Sequence, residues 1–156
     1  MKFFTKDLWD RINNSDKNIR ASAENEWNKN CEEYRQQYIC VKDYFPDSFI
    51  SNYSRYNGFH DFPIISFAMY GENHAAVIQL SNGFFQCRLV FNEIEVLKLN
   101  FSSFESCVCG KPSWGYSELD RSPNGNLRIS VLCDMENEIL IEFGSLDFKA
   151  GNTGDG

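Results

Sequence analysis

The sequence contains no apolar run near the ~20 residues that a membrane-spanning helix needs. Charged side chains interrupt its first ten residues, where a secretory signal peptide would place an apolar stretch. We therefore expect a cytoplasmic protein that is neither exported nor inserted in a membrane. Its six cysteines are then expected to be reduced thiols, because disulfides are rare in a reducing compartment.

Histidine is scarce, and the recurring catalytic motifs are missing. The chain has two histidines, and none of its ten glycines forms a Gly-x-Gly-x-x-Gly or P-loop pattern. It has no Gly-x-Ser-x-Gly nucleophile elbow either. Cys107 and Cys109 are separated by one residue, whereas zinc knuckles usually have two, and no second close pair exists. We expect no enzymatic activity, no metal and no cofactor.

His60 and Asp61 are the most suggestive adjacent residues. Such pairs occur in metal-dependent phosphohydrolases, but a catalytic metal needs at least three ligands, and only His74 could add another imidazole. We favour a structural role, in which both side chains hydrogen-bond backbone groups between the helical and the β-rich parts of the chain. The alternative is a small enzyme of unrecognised type that uses His60 with nearby carboxylates.

Charge is distributed unevenly along a chain of one-domain length. The net charge is -7 over 156 residues, of which 42% are hydrophobic. Residues 1–58 carry nine acids and nine bases, which cancel, and residues 59–156 carry thirteen acids and six bases (6 − 13 = −7). An acidic surface disfavours nucleic acid and anionic membranes and favours a basic protein partner.

The first third of the chain has a helical spacing of apolar residues. We predict a short helix after Thr5 and a longer one after Ser15. The longer one has apolar residues three or four positions apart up to Phe45, and Pro46 ends it. A third, shorter helix follows and ends at the Asn-Gly pair at 57–58.

After that pair the apolar spacing switches to two, which predicts strands. We expect them at 62–70, 74–80, 84–91, 93–101, 127–133 and 138–143, with a last short one ending near Phe148. Short turn sequences at 81–83 and 122–125 indicate antiparallel pairing. Residues 102–117 are expected to be irregular.

These elements predict a single α+β domain at 1–149, helical in 1–58 and β-rich in 59–149. Two to three N-terminal helices pack on a mostly antiparallel β-sheet or curled half-barrel of six to seven strands. Residues 150–156 are expected to be a disordered tail.

Two groups of residues are candidates for binding a partner. The first is an acidic row, projected from one face of a strand by its even spacing, with an apolar residue within it and further acids at its ends. Its members are Asp134, Glu136, Glu138, Leu140, Glu142 and Asp147. The second is Trp114 and Tyr116, because such aromatic residues in loops are candidate anchors. The alternatives are an ordinary solvated sheet face and an aromatic cap on the core.

The opening Met-Lys-Phe-Phe-Thr-Lys-Asp-Leu-Trp, the Gly-Phe-His-Asp at 58–61 and the strands that follow resemble small bacterial proteins with a helical segment before the sheet. The layout is similar to that of immunity proteins, which protect bacteria from their own polymorphic or contact-dependent toxins. The resemblance implies a non-enzymatic inhibitor of a cognate protein toxin, such as a basic nuclease-like domain. A structural or regulatory oligomer that buries its aromatic residues between subunits is a third possibility.

Overall fold

The structure, a computed structural model, describes residues 1–100, 112–133 and 137–152, without the side chains of residues 73 and 152. The predicted α+β class is confirmed. In the described residues, three α-helices precede an antiparallel sheet of seven strands that does not close into a barrel. None of the helices in these ranges is long and apolar enough to cross a membrane.

The helices are α1 (Lys6–Ile12), α2 (Lys17–Val41) and α3 (Asp47–Arg55). Thr5 caps α1, since its hydroxyl oxygen accepts a hydrogen bond from the Leu8 N–H at 3.2 Å. Helix α2 begins one residue later than predicted, because the Asp16 carboxylate rather than Ser15 accepts from the first free backbone N–H groups.

The strands form one sheet in which every pairing is antiparallel. They are β1 (Phe62–Tyr70), β2 (Ala75–Ser81), β3 (Phe85–Asn100), β4 (Ser113–Trp114), β5 (Tyr116–Arg121), β6 (Leu127–Leu132) and β7 (Glu138–Asn152). Their order is β4-β1-β2-β3-β7-β6-β5. The two edge strands, β4 and β5, are consecutive along the chain and separated only by Gly115.

Strands β3 and β7 are longer than predicted. Each was expected to be divided in two, but they pair with each other over almost their whole length. The register shifts between Ile94 and Val96, next to Glu93 with a φ of 56°. Such a bulge interrupts the alternation of side chains without ending the pairing. Residues 150–152 also belong to β7, so the prediction of a disordered tail is wrong for them; residues 153–156 lie outside the described ranges.

The prediction that residues 102–117 are irregular is wrong for the last part of that range. Residues 113–114 form β4, and β5 begins at Tyr116. The rest of that stretch, up to residue 111, lies outside the described residues.

The core lies on the inner face of the sheet. Ile139, Ile141 and Phe143 of β7 are at most 1% exposed, as their alternation predicted. Helix α3 contributes Phe49, whose ring lies 5.7 Å from that of Phe148 on β7. Fully burying one such side chain is worth about 1.5–3 kcal/mol. Helix α3 and the last turn of α2 are therefore held against this face by aromatic and aliphatic packing.

The segment before α1 lies on the outer face of β5, opposite the core. The Glu118 carboxylate, only 4% exposed, accepts hydrogen bonds from the backbone N–H groups of Lys2, Phe3 and Phe4 at 2.7–2.8 Å. Both phenylalanines are buried. This carboxylate therefore anchors residues 2–4 to an edge strand more than a hundred residues away.

Candidate functional site

The strand register brings one residue of each predicted binding group, Tyr116 and Glu138, to the same face of the sheet. Tyr116 on β5 pairs with Leu132 on β6, which pairs with Glu138 on β7. Directly opposed residues have Cβ atoms about 4.5–5.5 Å apart, so Tyr116 and Glu138 are separated by about 10 Å on the outer face. Nothing in the sequence relates Tyr116 to Glu138, because they become neighbours only through the order of the strands in the sheet.

The acidic residues of β7 differ in exposure. Glu138 and Leu140 are half-buried, and Glu142 is only 9% exposed. Asp147 is exposed, and its carboxylate accepts a hydrogen bond from the Asn92 side chain at 3.0 Å. Asp134 and Glu136 lie outside the described residues.

Basic residues from the neighbouring strands lie beside these acids. Lys98 on β3 is opposite Leu140, and Arg128 on β6 is opposite Glu142. Arg128 also forms an ion pair with Asp120 on β5. The sequence shows no base between residues 129 and 148, but the sheet places bases from other segments next to β7. The outer face is therefore of mixed charge around Glu142.

Tyr116 is half-buried in a cluster of aromatic residues. Its ring centroid lies 4.6 Å from that of Trp27, 5.6 Å from Trp9 and 5.8 Å from Phe4. Trp9 keeps 40% of its surface exposed. Trp114, by contrast, is fully buried, and its ring offers no surface to a partner in this conformation. Its burial matches the alternative role of a cap on the core.

Three adjoining depressions surround Tyr116, and we call them together the Tyr116 cleft. One of about 290 Å³, between α2 and β5, is lined by residues that include Cys31, Tyr34 and His60. One of about 200 Å³ extends past Asp61 to Leu132. One of about 350 Å³ lies on the helical side, over Trp9 and Trp27. The cleft thus runs from the helices to Leu132, the residue that pairs with Glu138.

His60 and Asp61 form part of the cleft wall. The Nδ1 atom of His60 lies 3.0 Å from the Asp61 carboxylate, and its ring contacts that of Tyr116 edge-on at 4.5 Å. The junction itself is held by the backbone, since the Asp61 N–H donates to the Trp114 carbonyl at 2.8 Å. The predicted location is correct, but these two side chains contact each other rather than backbone groups. The Asp61 side chain is 84% exposed.

Two ionisable groups of the cleft wall, Cys31 and Tyr116, have raised pKa values. Burial raises the pKa of the Cys31 thiol, so the thiolate is disfavoured. Burial, followed by the negative charge of Asp61, raises the pKa of the Tyr116 hydroxyl. Both groups therefore remain protonated and neutral at neutral pH.

No metal-binding cluster is found in the part of the chain that the structure describes: no three histidine, cysteine or acidic side chains there could hold an ion. Cys87 and Cys133 are buried in the sheet, and burial raises the pKa of the Cys87 thiol to about 12. Cys107 and Cys109 lie outside the described residues.

Sequence reasoning missed the helical side of the cleft. Trp9 and Trp27 follow the helical apolar spacing, which indicates packing against a core and gives no sign of a surface cleft. Glu118 was missed as well, since a single acid in a short polar segment carries no signal of burial. The aromatic character of the first residues, which include Phe3 and Phe4, was the one available hint that this segment packs.

A scan of protein-family models gives no match to the chain, and no curated protein matches it either.

Proposed function

We propose that this protein is a non-enzymatic binding protein of the immunity type, which neutralises a basic bacterial toxin domain in the cytoplasm by binding its surface. The observation that carries the proposal is the Tyr116 cleft, where accessible aromatic rings adjoin an exposed carboxylate on a chain of net charge -7. Binding of this kind requires complementarity and no catalytic group.

The aromatic rings supply the binding energy in this proposal. Tryptophan and tyrosine dominate interface hot spots, because each buries a large rigid surface at little entropic cost. Trp9 and Tyr116 are both accessible, and their rings are held in place by Trp27 and Phe4. A pre-organised pair of rings loses little conformational freedom on binding.

The carboxylates supply orientation and speed of association. Asp61 lines the cleft, and Glu138 lies next to Leu132 at its end, so a basic surface approaching the cleft would be attracted by both. Glu142 contributes less, because it is nearly buried beside Arg128. Asp147 is nine residues from Glu138, about 30 Å along the strand. The proposed contact is therefore centred on Tyr116 rather than on Leu140, where the sequence placed it.

The alternative of a small enzyme is favoured by one observation, the 3.0 Å contact between His60 and Asp61 in the cleft wall. An aspartate that orients a histidine is a common arrangement in general-base catalysis. His60→Gln, which keeps a polar side chain of similar size in the cleft wall, separates the two functions: an enzyme that uses His60 as its base loses all activity, whereas a binding protein keeps at least part of its protection.

The proposal is tested with the protein encoded immediately upstream, which we expect to carry a basic toxin domain, by measuring protection in bacterial cells that express that domain. The wild type is expected to restore growth and to form a complex with that domain. A Trp9→Leu/Asp61→Asn variant is expected to lose protection. The matched control is Ile19→Ala/Asp43→Asn, because Ile19 (41%) resembles Trp9 in exposure and the Asp43 side chain (85%) resembles that of Asp61.

Circular dichroism first establishes that both double variants are folded. Protection by the Trp9→Leu/Asp61→Asn variant equal to that of the wild type would remove the cleft from the interface. A wild-type protein that neither protects nor binds the basic domain would contradict the proposal as a whole.

A further inference from the structure

We propose that the helical side of the Tyr116 cleft binds one arginine side chain of the basic partner, stacked on Trp9 and Tyr116 and neutralised by Glu24 or Asp61. The inference rests on the proposed function and adds to it the chemical group that the cleft recognises.

Three aromatic side chains line one depression. The ring centroids of Trp9, Trp27 and Tyr116 lie within 6.2 Å of one another, and the depression over them measures about 350 Å³. The negative faces of aromatic rings attract cations within about 6 Å, and tryptophan does so most strongly. A cationic side chain entering this depression would meet two indoles and a phenol.

The charged groups of the cleft wall are all acidic. Glu24 lines the depression over the indoles, and Asp61 lines the one beside it. Among the described residues, no lysine or arginine lines the three depressions of the cleft. Arg11, on the adjacent helix, is held by Glu26 at 2.8 Å and by Asp7 at 3.0 Å. The His60 imidazole is the one basic group in the described wall, beside Asp61, so the depression over the indoles offers negative potential from Glu24 without a lysine or arginine beside it.

Arginine fits this wall better than lysine does. Its guanidinium group is planar and weakly hydrated, so it stacks on an aromatic face while its N–H groups donate to a carboxylate. An ammonium group is a compact, strongly hydrated charge, which loses more hydration in an apolar depression. The mixture of indole faces and a carboxylate at the rim therefore favours the guanidinium group.

The inference is tested by NMR titration of the full chain with N-acetyl-arginine methylamide. N-acetyl-citrulline methylamide, which has almost the same shape but no charge, is the matched probe. The indole N–H signals of Trp9 and Trp27 are expected to shift on addition of the arginine probe. That of the fully buried Trp114 serves as an internal reference and is expected to stay in place. The arginine probe is expected to bind roughly fivefold more tightly than the citrulline probe.

Single substitutions, followed by the same titration, identify the residues that bind the arginine probe. Trp9→Leu and Glu24→Gln are each expected to weaken binding of the arginine probe, and Glu24→Gln does so without altering any buried residue. Ile19→Ala and Asp43→Asn are expected to leave binding unchanged.

Equal affinity for the two probes, or a response to the control substitutions as large as that to the cleft substitutions, would overturn the inference. Absence of binding would also overturn it. A failure here with protection intact refutes the arginine pocket alone, because the protection assay judges the proposed function separately.

Discussion

Replacement of Glu118 by alanine tests the contact that positions one side of the Tyr116 cleft. The carboxylate accepts hydrogen bonds from three backbone N–H groups of residues 2–4, and those of Phe3 and Phe4 are buried. Phe4 in turn packs against Trp27 and Tyr116, with ring centroids 4.9 Å and 5.8 Å apart. Loss of the carboxylate therefore affects both global stability and the cleft.

The magnitude follows from two possible responses of the segment. If residues 2–4 stay in place, two buried N–H groups lose their acceptor, at about 1–3 kcal/mol each. If the segment leaves the sheet, those groups are hydrated, but Phe3 and Phe4 are exposed at about 1.5–3 kcal/mol each. The segment adopts whichever response costs less, so the expected loss in the free energy of unfolding is about 2–6 kcal/mol.

Urea unfolding followed by circular dichroism measures this loss. Glu118→Gln keeps one acceptor oxygen and should lie between alanine and the wild type. Glu138→Ala is the control, because Glu138 is half-buried on the same face and its side chain accepts no hydrogen bond from the described residues. A loss below about 0.5 kcal/mol for Glu118→Ala, the level of ordinary surface changes, would refute the anchoring role.

Three further outcomes are expected. Gly115→Ala should lower the melting temperature clearly, because its Cβ would lie 2.2 Å from a backbone carbonyl oxygen, whereas Gly151→Ala, with nothing within 4 Å, should not. The free energy of unfolding, measured with urea, should fall as the pH rises above 9. Burial raises the pKa of Cys87 from the ordinary 9.0 to about 12, so only the unfolded thiol ionises in that window. The resulting slope of the free energy against pH, about 1.4 kcal/mol per pH unit, should flatten in Cys87→Ala. Glu142→Lys should destabilise the fold by about 1–3 kcal/mol in urea unfolding, because the residue is nearly buried beside basic neighbours, while Glu138→Lys should remain within about 0.5 kcal/mol.

The helices could be predicted from the sequence because their signals are local. Capping residues and apolar spacing determined α1, α2 and α3 to within a residue or two at their starts. Of the apolar residues spaced three or four apart along α2, Ala23 and Val41 are buried as expected, whereas Ile19 and Cys31 are exposed. Ile19 lies near the start of α2, and Cys31 faces the Tyr116 cleft between α2 and β5.

The strands were predicted less completely, because their pairing depends on distant residues. Strand β5 was missed since Tyr-Ser-Glu-Leu-Asp-Arg reads as a polar segment. Its buried Glu118 binds residues 2–4, and its Ser117 accepts or donates a 2.8 Å hydrogen bond with Tyr53, 64 residues away. No local pattern contains such partners.

The candidate site could be predicted in part. Tyr116 was identified because it is a large aromatic residue outside the predicted elements, and Glu138 because of its even spacing. Trp9 and Trp27 were not, because their spacing along the helices indicates packing in the core. Their place in a surface cleft depends on α1 and α2 lying against the outer side of β5, which is a property of the whole fold.

The most direct measurement of the central claim is the rate at which the protein associates with the basic toxin domain, followed by stopped-flow fluorescence over a range of salt concentrations. Long-range attraction accelerates association at low salt and is screened as salt rises. We predict that Asp61→Asn slows association at low salt and reduces its salt dependence, while Asp43→Asn, an equally exposed acid outside the cleft wall, leaves both unchanged. Equal effects of the two substitutions, or no effect of either, would contradict the claim that the Tyr116 cleft receives the basic partner.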